Sequence, residues 1–84
     1  MEEQNYAYPL DSDWSISEME TVIAFWRAVE DAYEVGIGRQ VFLDRYRDFK
    51  TVVPSKMGEK QLWRQFAQAS GYEAYPVLKR AREL

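Results

Sequence analysis

The side chains that most often perform catalysis are scarce in this chain. It contains no cysteine and no histidine, which removes thiol nucleophiles, imidazole bases, disulfides and the usual nitrogen and sulfur ligands of zinc. Five serines all fall at predicted turns or helix starts, where capping accounts for them: Ser12, Ser15, Ser17, Ser55 and Ser70. The residue types therefore predict a protein that is not an enzyme and that carries no cofactor.

Two pairs of aspartates have spacings found in cation sites. Asp11 and Asp13 resemble the opening of a calcium loop, but the glycine and the glutamate that such a loop needs further on are missing. Asp44 and Asp48 lie one helical turn apart, and the arginines between them favour a charge-compensated, solvated helix face. No metal site is expected from either pair.

Charge is distributed unevenly along the sequence. The net charge of −3 is the sum of −8 over residues 1–35 and +5 over residues 36–84. The two halves can fold against each other, or the molecule can present a basic face to a partner. Near the end of the first predicted helix, Glu30, Asp31 and Glu34 form an acidic cluster that the helix dipole disfavours. We expect water or a cationic neighbour beside that cluster.

The most directional charge pattern lies on the third predicted helix. Lys56, Lys60 and Arg64 repeat every four residues and therefore share one helix face, called here the basic stripe. Three interpretations remain open: a solvated face, pairing with the acidic end of the first helix, or contact with an acidic partner. Nucleic acid is the less favoured partner, because the isoelectric point is about 4.9 and no recognition motif accompanies the stripe.

Three large aromatic side chains precede the first predicted helix. Pro9 disfavours helical backbone at the residue before it, so residues 1–13 are predicted to form an extended arm that carries Tyr6 and Tyr8, with Trp14 directly after it. These side chains can dock on the core of their own chain. They can also dock on a second copy, which would give an arm-exchanged homodimer.

Apolar periodicity predicts four helices at about 15–35, 39–52, 56–69 and 74–82. Ser15 and Glu18 match a capping box at the start of the first helix, and Gly58 should cost the third helix about 1 kcal/mol relative to alanine. The side chains assigned to apolar stripes include Val22, Phe25, Trp26, Tyr33, Phe42, Phe49, Trp63, Phe66, Ala69, Tyr75 and Leu78. We predict one all-α domain over residues 1–84, an irregular array of three to four short amphipathic helices preceded by the extended arm.

The sequence shows no sign of export or membrane insertion. Residues 1–5 are acidic and polar, unlike the start of a secretory signal, and no apolar run approaches the length that spans a bilayer. We expect a cytoplasmic protein that does not contact membranes.

Five short segments of the chain form a recognisable set: Tyr8-Pro9-Leu10-Asp11, Trp14-Ser15, Ala28-Val29-Glu30-Asp31-Ala32-Tyr33-Glu34, Val52-Val53-Pro54-Ser55-Lys56 and Ala69-Ser70-Gly71-Tyr72. Together they resemble the YktA-like family of small uncharacterised proteins from Gram-positive bacteria, uncharacterised protein family 0223, and the similarity covers about residues 6–75. The resemblance implies an all-helical fold of about four helices. It implies no activity, catalytic residue or cofactor.

Composition and pattern together favour a small non-enzymatic module that binds an unknown protein partner or a second copy of itself. The candidate contact residues are those of the arm and the basic stripe. An accessory protein that binds nucleic acid through the basic stripe and the tail residues Lys79, Arg80 and Arg82 is the alternative.

Overall fold

The computed structural model describes residues 6–83, and most of these are helical. The helices are Ile16–Glu34 (α1), Arg39–Val52 (α2), Lys56–Ser70 (α3) and Ala74–Glu83 (α4). The described part of the chain contains no strand, so the predicted all-α fold is confirmed. Each helix begins and ends within about one residue of its predicted bound, which is the usual uncertainty of a helix end. Residues 1–5 of the predicted arm lie outside the described residues.

Local side-chain chemistry determines where α1 begins and ends. The Glu18 amide donates to Ser15 Oγ at 3.1 Å, and the Ser15 amide donates to Glu18 Oε1 at 2.9 Å, so both halves of the predicted capping box are present. At the other end, Gly36 has a φ of 94° and its amide donates to the Asp31 carbonyl at 2.6 Å. A side chain at that φ would be strained, so glycine lets the chain turn toward α2.

Two adjacent aromatic residues of α1, Phe25 and Trp26, form the centre of the core. The Phe25 ring stacks on Phe49 of α2, with ring centroids 4.6 Å apart, and on Trp63 of α3, at 5.8 Å. The Trp26 ring stacks on Phe66 of α3 at 4.5 Å, with the two ring planes only 12° apart. Because these two rings reach both neighbouring helices, α1 connects α2 and α3.

Three side chains predicted to be in the core lie on the surface instead. Tyr33 is 47 % exposed and Tyr75 is 59 % exposed, and Ala69 is also exposed. On α4 the buried side chains are Ala74, Leu78 and Ala81. Tyr75, next to Ala74 in sequence, is rotated about 100° away from that face, which is why the prediction for it was wrong.

Gly58 lies at a position where the cap of α3 leaves no room for a side chain. The Gly58 amide donates to Ser55 Oγ at 2.9 Å, which caps the helix. A Cβ on Gly58 would lie 2.9 Å from that same oxygen and 3.2 Å from Cγ1 of Val53. The glycine therefore allows the cap to form, and this offsets the helix propensity that it lacks.

Gly58→Ala is expected to leave the free energy of unfolding unchanged or to lower it by up to about 1 kcal/mol, because the methyl group displaces the Ser55 cap while improving helix propensity by a similar amount. In a Ser55→Ala background that oxygen is absent and only the contact with Val53 Cγ1 at 3.2 Å remains, so the same substitution should be more favourable there than in the wild-type background, by about 0.5–1 kcal/mol in the free energy of unfolding. Urea denaturation of the four proteins measures both effects. A stabilisation of about 1 kcal/mol in the wild-type background would contradict this account.

Candidate interaction surfaces

The arm is fastened to α1 through the carboxylate of Glu30. The Tyr8 hydroxyl donates to Glu30 Oε1 at 2.9 Å, and the Tyr6 hydroxyl donates to Glu30 Oε2. Glu30 is only 5 % exposed, so its charge depends on these two donors for the solvation that water would otherwise supply. The sequence predicted water or a cation beside the acidic cluster that contains Glu30. In the structure, the direct hydrogen-bond partners of Glu30 are two tyrosine hydroxyls from the arm.

The rings and backbone of the arm add further contacts with the helices. The Tyr6 and Tyr8 rings pack on Phe66, at centroid distances of 6.2 and 6.3 Å. The indole Nε1 of Trp26 donates to the Pro9 carbonyl at 3.1 Å. The arm therefore crosses α1 and α3 of its own chain. In the structure, this places Tyr6 and Tyr8 in half-buried positions.

Trp14, the third aromatic of the predicted contact set, is also half-buried. It packs against the core and lines a recess with Val52, Pro54 and Leu62, where the chain turns from α2 into α3. It thus anchors the link between the arm and α1. All three aromatic side chains are in contact with the same chain's helices.

A tyrosine hydroxyl also donates a hydrogen bond at the acidic end of α1. The Tyr72 hydroxyl donates to Glu34 Oε2 at 2.6 Å, and the Tyr72 ring stacks on Tyr33 at 4.8 Å with nearly parallel planes. The Tyr33 hydroxyl donates to the Glu73 carbonyl at 2.8 Å. This pair, of which Tyr33 is exposed and Tyr72 half-buried, joins the end of α1 to the segment that leads into α4.

These contacts change the acidity of the tyrosines. Burial, followed by the hydrogen bond to Glu30, raises the pKa of both Tyr6 and Tyr8, while Arg27 beside Tyr8 partly opposes the rise. The hydrogen bond to Glu34 is the main cause of the raised pKa of Tyr72. An ionised phenol would face a carboxylate in each place, so the folded state favours the protonated hydroxyl.

The basic stripe points into solvent. Lys56, Lys60 and Arg64 are all exposed, and none of them forms an ion pair with another residue between 6 and 83. Pairing with the acidic end of α1, one of the three interpretations, is therefore not formed within the described chain. Phe66, which receives the arm, belongs to the opposite, buried side of α3, so the arm and the stripe occupy separate surfaces.

The single acid of α3 does not neutralise the stripe. Glu59 is only 4 % exposed, and Lys50 of α2 binds its Oε1 at 2.5 Å while the Tyr46 hydroxyl lies 3.4 Å from Oε2. The exposed side of α3 consequently carries three cations and no acid. Met57, which is 71 % exposed, adds an apolar side chain to that surface.

The other charged residues that the sequence singled out are accounted for by neighbours. Arg47 lies 3.6 Å from Asp44 and 4.0 Å from Asp48, as a charge-compensated face requires. The Arg82 guanidinium lies 5.4 Å from the centre of the Tyr46 ring, a cation–π contact. Between residues 6 and 83 no three acidic side chains converge on a point that could hold a metal ion. The same span also lacks a helix long and apolar enough to cross a membrane.

Sequence reasoning missed the roles of Glu30 and Glu59. Glu30 follows Trp26 by one helical turn and shares its buried side, and Glu59 likewise precedes Trp63 by four residues. The four-residue spacing between each acid and a core tryptophan could have indicated that the acid is buried. The hydrogen-bond partners of the two acids could not be identified in the same way, because they lie on other segments of the chain.

The fold and these surfaces define a small all-α protein with an intramolecularly bound arm and one acid-free basic helix face. The model of the Uncharacterised protein family (UPF0223) matches residues 5–84, so the chain belongs to that family. The family's description specifies no reaction, ligand or partner. The predicted resemblance is thereby confirmed.

Curated relatives from Gram-positive bacteria support the same assignment. A UPF0223 protein of Lactococcus lactis subsp. cremoris is 53 % identical over 76 residues, which are 90 % of this chain and 82 % of the relative. A UPF0223 protein of Oceanobacillus iheyensis is 48 % identical over 79 residues, which are 94 % of this chain and 90 % of the relative. One from Lysinibacillus sphaericus is 46 % identical over 78 residues, 93 % of this chain and 82 % of the relative.

The raised pKa values of Tyr6, Tyr8 and Tyr72 predict that the protein loses stability in alkaline solution. Above the ordinary tyrosine pKa of 10.0, the unfolded chain releases protons that the folded chain keeps. The free energy of unfolding should therefore be constant below about pH 9 from this cause and fall as the pH rises above about 10. Urea denaturation at about four pH values between pH 8 and pH 11 measures this decline in the free energy of unfolding.

Tyr6→Phe combined with Tyr8→Phe should make this decline shallower, because phenylalanine has no proton to lose. The matched control is Tyr75→Phe, which removes a hydroxyl from an exposed tyrosine. An equal decline in the double variant and the wild type would contradict the assigned role of the arm hydroxyls.

Proposed function

We propose that this protein is a non-enzymatic, cytoplasmic interaction module that binds an acidic segment of a partner protein through the basic stripe of α3. Lys56, Lys60 and Arg64 supply the charge for this contact, and the exposed methionine beside them supplies apolar area. The partner is recognised by a run of carboxylates with an apolar side chain among them.

One observation carries the proposal: the exposed side of α3 has three cations without ion pairs in residues 6–83, while the one acid of the helix is buried and paired with Lys50. A chain with net charge −3 would ordinarily intersperse acids on a solvated helix. Like charges at four-residue spacing cost the isolated helix a few tenths of a kcal/mol per pair, roughly. A partner's carboxylates would remove that repulsion.

Charge reversal on α3 tests the proposal. Lys60→Glu combined with Arg64→Glu should abolish binding of acidic proteins that the wild-type protein captures from a lysate of a Gram-positive bacterium. Each captured protein is then purified, and its affinity for the wild type and for the variant is measured by calorimetry. The variant should bind at least about tenfold more weakly, because reversing the charge at Lys60 and Arg64 replaces attraction to the partner's carboxylates by repulsion. Binding by the wild type should also weaken as salt increases.

A control variant with the same net charge separates the stripe from charge in general. Arg45→Glu combined with Lys79→Glu reverses two exposed cations that also lack ion pairs among the described residues. This control should retain the partner. Equal loss in both variants, or retention in both, would refute the assignment to α3, and circular dichroism verifies that each variant is folded.

Self-association through the arm is the second candidate, because the contacts of Tyr6, Tyr8 and Trp14 with the helices could equally form between two chains. Arm exchange would preserve every hydrogen bond to Glu30 while linking two copies. Light scattering over a concentration series tests it. A mass that doubles with concentration supports exchange, and a constant monomer mass at all concentrations rejects it.

Nucleic acid is a weaker candidate partner for the same stripe. The tail cations Lys79 and Arg80 could extend a basic surface, although Arg82 lies over Tyr46. Binding of this kind would fall steeply with salt, since phosphate contacts release counterions. Unchanged electrophoretic mobility of DNA and RNA in low salt, about 50 mM, would exclude it.

A further inference from the structure

A cleft of about 550 Å³ opens between the end of α1, the start of α2 and α4. Its volume is within the range of about 300–1,000 Å³ that small-molecule sites occupy. Ile37, Phe42 and Val77 give it an apolar floor, and Phe42 is 1 % exposed. Neither the arm nor the basic stripe lines this cleft.

Tyr33 forms a fixed aromatic wall of the cleft. Its ring stacks on Tyr72 with the planes 6° apart, and its hydroxyl donates to the Glu73 carbonyl at 2.8 Å. The stacking on one face and the hydrogen bond of the hydroxyl therefore fix the position of the Tyr33 ring, although the residue is 47 % exposed. A wall held in place before binding lowers the entropy that a ligand must lose.

Two guanidinium groups, those of Arg39 and Arg80, give the cleft its charge. Arg39 Nε donates to the Ala81 carbonyl at 2.5 Å, which orients the group toward α4 and leaves its terminal nitrogens for another acceptor. Arg80 is exposed and has no hydrogen bond or ion pair with any residue of the described chain. No acid lines the cleft, in a chain with 14 acidic and 11 basic residues.

We propose that this cleft binds a small hydrophobic carboxylate. The apolar body of the ligand lies against Tyr33 and the floor, and its carboxylate accepts hydrogen bonds from Arg39 and Arg80. The planar fork of a guanidinium matches the two oxygens of a carboxylate. This site is independent of the α3 surface, so a failure of one proposal leaves the other standing.

A pair of probes that differ in charge tests the site. 2-Naphthylacetate and its neutral amide, 2-naphthylacetamide, have the same ring system, and each is titrated into the ¹⁵N-labelled protein while amide resonances are recorded. The acid should shift the amides of Ile37, Val77 and Arg80. The affinity of the acid should also be at least about tenfold higher than that of the amide, since only the acid forms charge-assisted hydrogen bonds with the two arginines.

Two neighbouring substitutions on α4 provide the matched comparison. Arg80→Gln should weaken binding of the acid by about tenfold, whereas Lys79→Gln, which removes the same charge from outside the cleft, should leave it unchanged. Both side chains are exposed, so both variants should fold.

Three results would overturn the proposal. The first is equal affinity for the acid and the amide, which would remove the role of the arginines. The second is the absence of shifts in the cleft. The third is tighter binding of a peptide that ends in a free phenylalanine carboxylate, which would assign the cleft to a protein's carboxyl terminus.

Discussion

The packing of Phe25 and Trp26 of α1 against two other helices is the interaction on which the rest of the structure depends. Adjacent helical residues point about 100° apart, so Phe25 and Trp26 can pack against two neighbouring helices at once. Phe25 meets Phe49 of α2, and Trp26 meets Phe66 of α3. A domain this small, without cysteine or histidine to form disulfides or bind zinc, depends heavily on such a core for its stability. The aromatic richness of the chain is therefore first a property of its folding.

The arm depends on the same two helices. Because Glu30 lies one turn after Trp26, its carboxylate is buried and needs hydrogen-bond donors. Tyr6 and Tyr8 bring those donors and cover the ring of Phe66 at the same time. A buried acid is costly to retain, and here it fixes the position of the arm along α1. The aromatic arm thus packs against the folded core, and the basic stripe of α3 faces solvent.

How much of this could be predicted depends on how far apart the interacting residues are in sequence. The helix bounds followed from local signals, such as the Ser15 and Glu18 pair and Pro54. Glu30 was read as needing water or a cation, because its partners lie 22 and 24 residues earlier. The buried face of α4 was misassigned at Tyr75 because the small Ala74 is a weak apolar signal. Gly58 was judged by propensity alone, since only the folded turn shows that a Cβ would meet the Ser55 cap.

The central claim is that the arm closes on its own chain, against the buried side of α3 and away from the basic stripe. An isotope-filtered NOE experiment on an equal mixture of ¹³C-labelled and unlabelled protein tests it most directly. The account predicts that contacts of the Tyr6 and Tyr8 rings with Phe66 occur within the labelled chain and are absent from the filtered spectrum. Filtered contacts between those rings would show that the arm packs across two chains, and would contradict it.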